Sequence, residues 1–130
     1  MDRDGVAVEP GLIGRAELTV QDTDTALALG TGVVPVLATP RLVALCEQAA
    51  CNAVHPLLPA GRTTVGSRLQ FDHLAPVKVG STVRAEATLL RIDGRRLAFT
   101  VSVSDAAGLV GAGRVTRVLV DLESFLAKAR

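Results

Sequence analysis

A chain of 130 residues is the size of one domain, long enough to bury about two thirds of its unfolded surface in a single core. With 48% hydrophobic residues, 21% charged residues and a mean hydropathy of +0.37, the composition excludes charge-driven disorder and leaves an apolar surface that a second copy would cover. A formal net charge of +1 with scattered basic residues, and no aromatics beyond Phe71, Phe99 and Phe125, excludes a phosphate-tracking stripe and most base stacking, hence a nucleic-acid partner.

The leading MDRDGVAVEPG lacks the apolar centre of a signal peptide, and no apolar run approaches the roughly 20 residues that span a bilayer. The expected location is cytoplasmic, with no membrane partner. From Arg15 to Val20 the run RAELTV alternates apolar and polar positions and reads as a first strand. The next stretch, QDTDTALALGTGVVPVLATP, is rich in Thr, Gly and Pro and reads as a connection. It carries too many aliphatic residues for a solvated loop, so it is expected to lie against the body, over a pocket.

Thr39-Pro40 is a helix start, since a threonine oxygen can accept from an orphan amide and proline at the first position loses no hydrogen bond. The predicted helix runs from about Pro40 to Val54, with Leu42, Leu45, Cys46, Ala49 and Ala53 on one apolar face that Val43, Ala50 and Val54 widen. Cys46 and Cys51 point to different faces of it and read as reduced, buried thiols; with no second Cys/His pair there is no metal site to expect. HPLLPAGR ends the helix. Strands follow at Thr63 to Asp72, Thr82 to Ile92, Arg96 to Ser104 and Leu109 to Val120, separated by turns and expected to form a meander, with a short helix from Leu122. One buried helix with a strand before it and strands after it predicts an α+β domain spanning residues 1–130, its antiparallel sheet wrapped around the long central helix.

Several residues fit poorly into a purely structural reading. Glu47 sits in an otherwise apolar helix, where an unpaired carboxylate would cost several kcal/mol; it either has a partner or belongs to a polar edge with Gln48 and Asn52. His73 ends a strand before a Pro/Gly connection and is either a general base or a satisfied structural histidine. Thr39 is explained by capping alone, yet a helix N-terminus also offers amides to a developing oxyanion. Gly66 inside a strand marks a bulge or the close approach of a ligand. Arg117 interrupts VTRVLV, and alternation would also place it on a solvated face. Thr39 and Glu47 are eight residues apart, about 12 Å along one helix, and so cannot touch directly.

Thr39 and Glu47 at this spacing, His73 in FDHLAPVKVG, Gly66 seven residues before it, Arg117 in GAGRVTRVLV and the closing L-E-x-F together resemble the fluoroacetyl-CoA thioesterase family over roughly Thr25 to Lys128. The resemblance implies a dimeric hot-dog fold and hydrolysis of a small acyl-CoA, with Thr39, Glu47 and His73 as a catalytic set at the dimer interface. Gly66, Arg117, Val33 and Val36 are the implied substrate contacts. Arg95, Arg96 and Arg114 are candidate contacts for CoA phosphates. No metal or cofactor is required, because the thioester is already activated; pairing of dimers into tetramers is left open. Members selective for fluoroacetyl-CoA close an aromatic lid over the acyl group, whereas here GTGVVPVL is aliphatic, which leaves the acyl group open and favours a small or aliphatic one. The alternatives are an acyl-CoA binding or sensing domain without chemistry, a hot-dog enoyl-thioester hydratase, and a bare dimerisation scaffold.

Overall fold

The computed structural model describes residues 7–130; the reading of the first six residues as part of a leader-free start lies outside it. Five strands form one antiparallel sheet: β1 (Ile13–Thr19), β2 (Arg62–His73), β3 (Thr82–Asp93), β4 (Arg96–Asp105) and β5 (Gly108–Asp121). Three helices accompany them: α1 (Ala26–Leu29), α2 (Thr39–Val54) and α3 (Leu122–Ala127). The sheet has the order β1-β3-β4-β5-β2 and curls around α2.

The apolar face of α2 is the predicted one. Leu42, Leu45, Cys46, Ala49, Ala50, Ala53 and Val54 are buried, while Ala44, Gln48 and Asn52 form its exposed stripe. Strand alternation supplies the opposing wall: Val83, Ala85, Ala87 and Leu89 from β3, then Leu97, Phe99, Val101 and Val103 from β4. Each fully buried leucine, valine or phenylalanine here contributes about 1.5–3 kcal/mol by leaving water. Small residues set how closely the layers meet. A β-carbon on Gly14 would overlap Ala49 O and the backbone of Ala53, so β1 lies directly on the helix, and Asn52 Nδ2 donates to Arg15 O at 2.8 Å across the same contact.

Two expectations need correction. The first strand begins at Ile13, two residues earlier than its alternation indicated, because pairing with β3 extends to Ile13 opposite Thr88. The four later strands also do not form one meander. Only β3, β4 and β5 do; β2 pairs with β5, from Arg62 opposite Asp121 to His73 opposite Gly111, and lies at the sheet edge. The reason is the segment after His73, which does not turn back as a hairpin. Leu74 N bonds Val110 O, and Leu37 N bonds Val77 O, so the chain crosses the end of the sheet and returns on its far side as β3.

The Thr/Gly/Pro-rich stretch folds back as expected. A single 3-10 turn at Asp22–Asp24, α1, and bridges between Thr25 and Leu37 and between Val36 and Lys78 hold it. Arg41 Nε on α2 donates to Asp24 Oδ1 at 3.0 Å and ties it to the helix. No helix among the described residues is long and apolar enough to cross a membrane.

The two cysteines are free, but only Cys46 is fully buried; Cys51 is half-buried. Burial, reinforced by the neighbouring Glu47 carboxylate, pushes the Cys46 thiol up to about 12. A pKa raised by folding means that stability held at neutral pH is lost as pH climbs from the ordinary thiol range near 9.0 towards 12. We therefore expect iodoacetamide at pH 8 to alkylate Cys51 and spare Cys46 in the native protein, while both react in urea; mass spectrometry of the labelled peptides reads this directly. Replacing Gly14 by Val should lower stability by about 1–3 kcal/mol or more, since the helix must move away from β1, and a urea titration measures the loss.

Candidate active site

A cleft of about 380 Å³ opens where three parts of the chain meet. The folded-back segment lines it with Ala26, Val34, Val36 and Leu37, the start of α2 with Thr39 and Pro40, and the chain after β2 with Leu74, Ala75 and Pro76 beside His73. Its walls are mostly aliphatic, with Thr31 adding a hydroxyl to that of Thr39 and the His73 ring. Val36 is in the lining, as expected from the sequence, but Val33 is 86% exposed and outside it, and Val34 takes that place. A single-residue shift along an irregular segment exchanges inside for outside.

Thr39 does not cap its helix. The N-cap is Ala38, whose side chain makes no capping bond, and the Thr39 hydroxyl instead meets His73 Nδ1 at 2.8 Å. The pairing joins the first turn of α2 to the last residue of β2, across 34 residues of sequence. His73 Nε2 is buried and has no partner among the described residues. Leaving such an atom unpaired costs about 1–3 kcal/mol, so the imidazole is held with one nitrogen on a hydroxyl and the other unsatisfied.

Glu47 lies two turns further along α2 in a second cluster. Arg117 Nη1 donates to its Oε2 at 2.8 Å. The same guanidinium donates through Nε to Thr64 Oγ1 and through Nη2 to Thr64 O, each at 2.9 Å. Arg117 is 7% exposed, so the solvated-face reading is overturned: alternation puts it on the inner face with Val115 and Leu119. Gly66 is its cross-strand partner on β2, and a β-carbon there would overlap Glu47 Oε2. The strand register also shifts between Gly66 and Arg68, so the glycine serves both the bulge and the close approach.

The structure thus joins Thr39 to His73, and Glu47 to Gly66 and Arg117. It does not bring Glu47 into a hydrogen bond with Thr39 or His73, in keeping with the rise of about 12 Å between Thr39 and Glu47. Thr64 was missed by sequence reasoning, although it stands two residues before Gly66 and therefore on the same strand face. Asp24, buried and paired with Arg41, was missed as well, since a carboxylate in a polar turn gives no burial signal.

This curled antiparallel sheet around a single helix is the hot-dog fold of thioesterases. A solved fluoroacetyl-CoA thioesterase superimposes with a TM-score of 0.88 at 30% identity, covering 94% of this chain and 95% of that one. A thioesterase superfamily member from Thermus thermophilus gives 0.86 at 28% identity, covering 93% and 90%. The sequence model described as fluoroacetyl-CoA-specific thioesterase matches residues 20–123, and the fluoroacetyl-CoA thioesterase of Streptantibioticus cattleyicolor is 37% identical over 95 residues, 73% of this chain and 68% of that protein. The chain belongs to the fluoroacetyl-CoA-specific thioesterase family, a family of thioester hydrolases.

The Arg117 cluster makes a stability prediction. Arg117→Met should lower stability by on the order of 1–3 kcal/mol, because it strands the partly buried Glu47 carboxylate and the Thr64 oxygens. Arg117→Lys should recover only part of this in the same urea titration, since an ammonium cannot reproduce the planar fork that engages all three oxygens.

Proposed function

We propose that the protein hydrolyses a small aliphatic acyl-CoA thioester to the free acid and CoA, acting in the cytoplasm as a homodimer. The observation that carries this reading is the Thr39–His73 hydrogen bond at the mouth of an aliphatic cleft. A hydroxyl 2.8 Å from an imidazole nitrogen is positioned for proton transfer.

With Nδ1 as acceptor, His73 takes the proton from Thr39 as Oγ1 attacks the thioester carbonyl. The tetrahedral intermediate collapses by breaking the C–S bond, and His73 returns the proton to the departing sulfur. Water then cleaves the Thr39 ester by the same proton path, releasing the acid. The start of α2 supplies the partial positive charge that stabilises the oxyanion. No metal or bound cofactor enters these steps.

Glu47, Gly66 and Arg117 act from the second subunit. Within one chain Glu47 is too far along α2 to serve His73, but β2 carries both Gly66 and His73 and is an uncovered edge. Residues 66–70 of it are exposed, Leu69 among them at 45%. A second copy docked along this edge would bring the Glu47–Arg117 pair of the partner subunit to the thioester bound beside His73, with Gly66 leaving room for it. The pairing would also cover backbone groups that an open edge strand exposes. The aliphatic walls favour an alkyl acyl group over one needing aromatic contacts. Free thiols at Cys46 and Cys51 fit a reducing cytoplasm.

The test is CoA release from acyl-CoAs running from acetyl to phenylacetyl and long-chain, with sedimentation of the same samples. Small aliphatic acyl-CoAs should turn over, the protein should sediment as a dimer, and His73→Ala, Thr39→Val and Glu47→Ala should each lose on the order of 100-fold or more in kcat/KM while remaining folded. Tight acyl-CoA binding without hydrolysis would instead make the chain a sensing domain. An unaffected Thr39→Val would transfer the attack to water.

A further inference from the structure

The ion pairs Arg15–Glu86 and Arg84–Glu17 lie on the open surface, where water screens them. The pair Arg41–Asp24 is different. Its carboxylate side chain is only 12% exposed, and the proposed chemistry does not use it.

Local structure requires this carboxylate. Asp24 ends the 3-10 turn that leads into the folded-back segment, and Gln21 N donates to its Oδ2 at 2.8 Å. Its backbone oxygen accepts from the N-cap of α2, Ala38 N, at 2.9 Å. The next two residues join the strand-like return: Thr25 bridges Leu37, and Ala26 N donates to Val36 O. Asp24 is therefore tied both to a wall of the cleft and to the residue from which α2 starts.

The same position sets a negative charge against a helix N-terminus. In the first turn of α2, Leu42 N bonds Ala38 O and Pro40 has no N–H, so the amides of Thr39 and Arg41 are left without a helical acceptor. Thr39 and Pro40 line the cleft. The oxyanion of the proposed hydrolysis develops there, and a bare carboxylate held against that turn would oppose it where water screens little. Arg41 removes the opposition. Its Nε lies 3.0 Å from Asp24 Oδ1, and it comes from the helix's own first turn, two residues after Thr39.

We infer that Arg41 is a positioning residue that acts on the reaction through Asp24: it neutralises the carboxylate, which can then build the turn while the start of α2 keeps its partial positive charge for the oxyanion. The inference rests on the thioesterase reading. A thioester carbonyl is neutral in the ground state and gains negative charge only on the way to the tetrahedral intermediate, so the effect belongs in kcat and not in KM.

Both constants would be measured on an acyl-CoA for the wild type, Arg41→Met, Asp24→Asn and the double variant, with urea titrations to establish folding. Arg41→Met should lower kcat by about tenfold or more and keep KM within about threefold, while the double variant should return kcat to within about threefold of the wild type. Asp24→Asn should leave kcat at or above the wild-type value. A double variant no faster than Arg41→Met, or a fall in kcat shared by Asp24→Asn, would reduce the pair to a structural tie and overturn the inference. If Arg41→Met does not fold, Asp24→Asn still decides, since a structural tie predicts a loss where neutralisation predicts none.

Propionate, a carboxylate with the charge of the oxyanion, gives a reading without turnover. Followed by NMR at the amides of positions 39 and 41, it should bind Arg41→Met about tenfold more weakly than the wild type and recover in the double variant, with neutral propionamide binding all three alike. If the wild type hydrolyses no thioester, the thioesterase reading fails and this series decides the inference alone. The same order of affinities supports it; equal affinities, or no binding to the wild type, overturn it.

Discussion

The closeness of α2 to the sheet is the constraint on which the rest of this molecule depends. A helix enclosed by one curled sheet must be apolar over most of its surface, and it can approach a strand only where side chains are small. Gly14 against Ala49 and Ala53 provides that approach on β1, and the leucines Leu42 and Leu45 fill the wider space beyond. Because the helix is fixed in this way, its first turn is fixed at the end of β2, and Glu47 is fixed two turns deeper. The site is therefore divided by geometry. Thr39 and His73 meet at one place, Glu47 and Arg117 at another, and the spacing between them belongs to the helix itself.

Bringing charge into such a core has a cost that only well-matched partners offset. Arg117 replaces its lost hydration with three hydrogen bonds, two of them to one residue, Thr64. Glu47 keeps contact with solvent through a side chain that is 30% exposed, so the pair is buried on one side only. Gly66 completes the arrangement by the absence of a side chain. A hydrophobic pair of similar volume could stabilise the fold equally well. What the charged pair adds is a carboxylate held in a fixed position at the border of the core, which the proposed hydrolysis would use and folding does not need.

Much of this was legible in the sequence, and the exceptions are instructive. The helix, its buried face and the bounds of the four later strands, each to within one residue, follow from periodicity, because the side chains that define them act locally. The pairing of β2 with β5 did not follow, since strand neighbours are chosen by where a connection runs, and Leu74–Ser81 crosses the sheet instead of turning back. Thr39 illustrates a subtler limit: capping and catalysis ask for the same residue at the same position, and only the direction of the hydroxyl distinguishes them. Arg117 was ambiguous because strand alternation gives two faces without saying which is inside, and a charge argues for the wrong one. The direction of the Thr39 hydroxyl and the burial of Arg117 came from the structure, where residue-by-residue reasoning had left both open.

The β2 edge ties these features together. Twelve residues long and unpaired on one side, it is the kind of edge that soluble proteins shorten, charge or cover. Here it is not shortened, and Arg68 is the one charged residue in its exposed middle, at residues 66–70. The residues that matter for the site are distributed along it: Thr64 and Gly66 near its start on the inner face, and His73 at its end. An edge that carried no function would be expected to drift towards lysines and prolines. A long, nearly regular strand suits a backbone that positions a histidine against α2 and leaves space for a carboxylate, and that in the proposed dimer would accept a second copy of the chain.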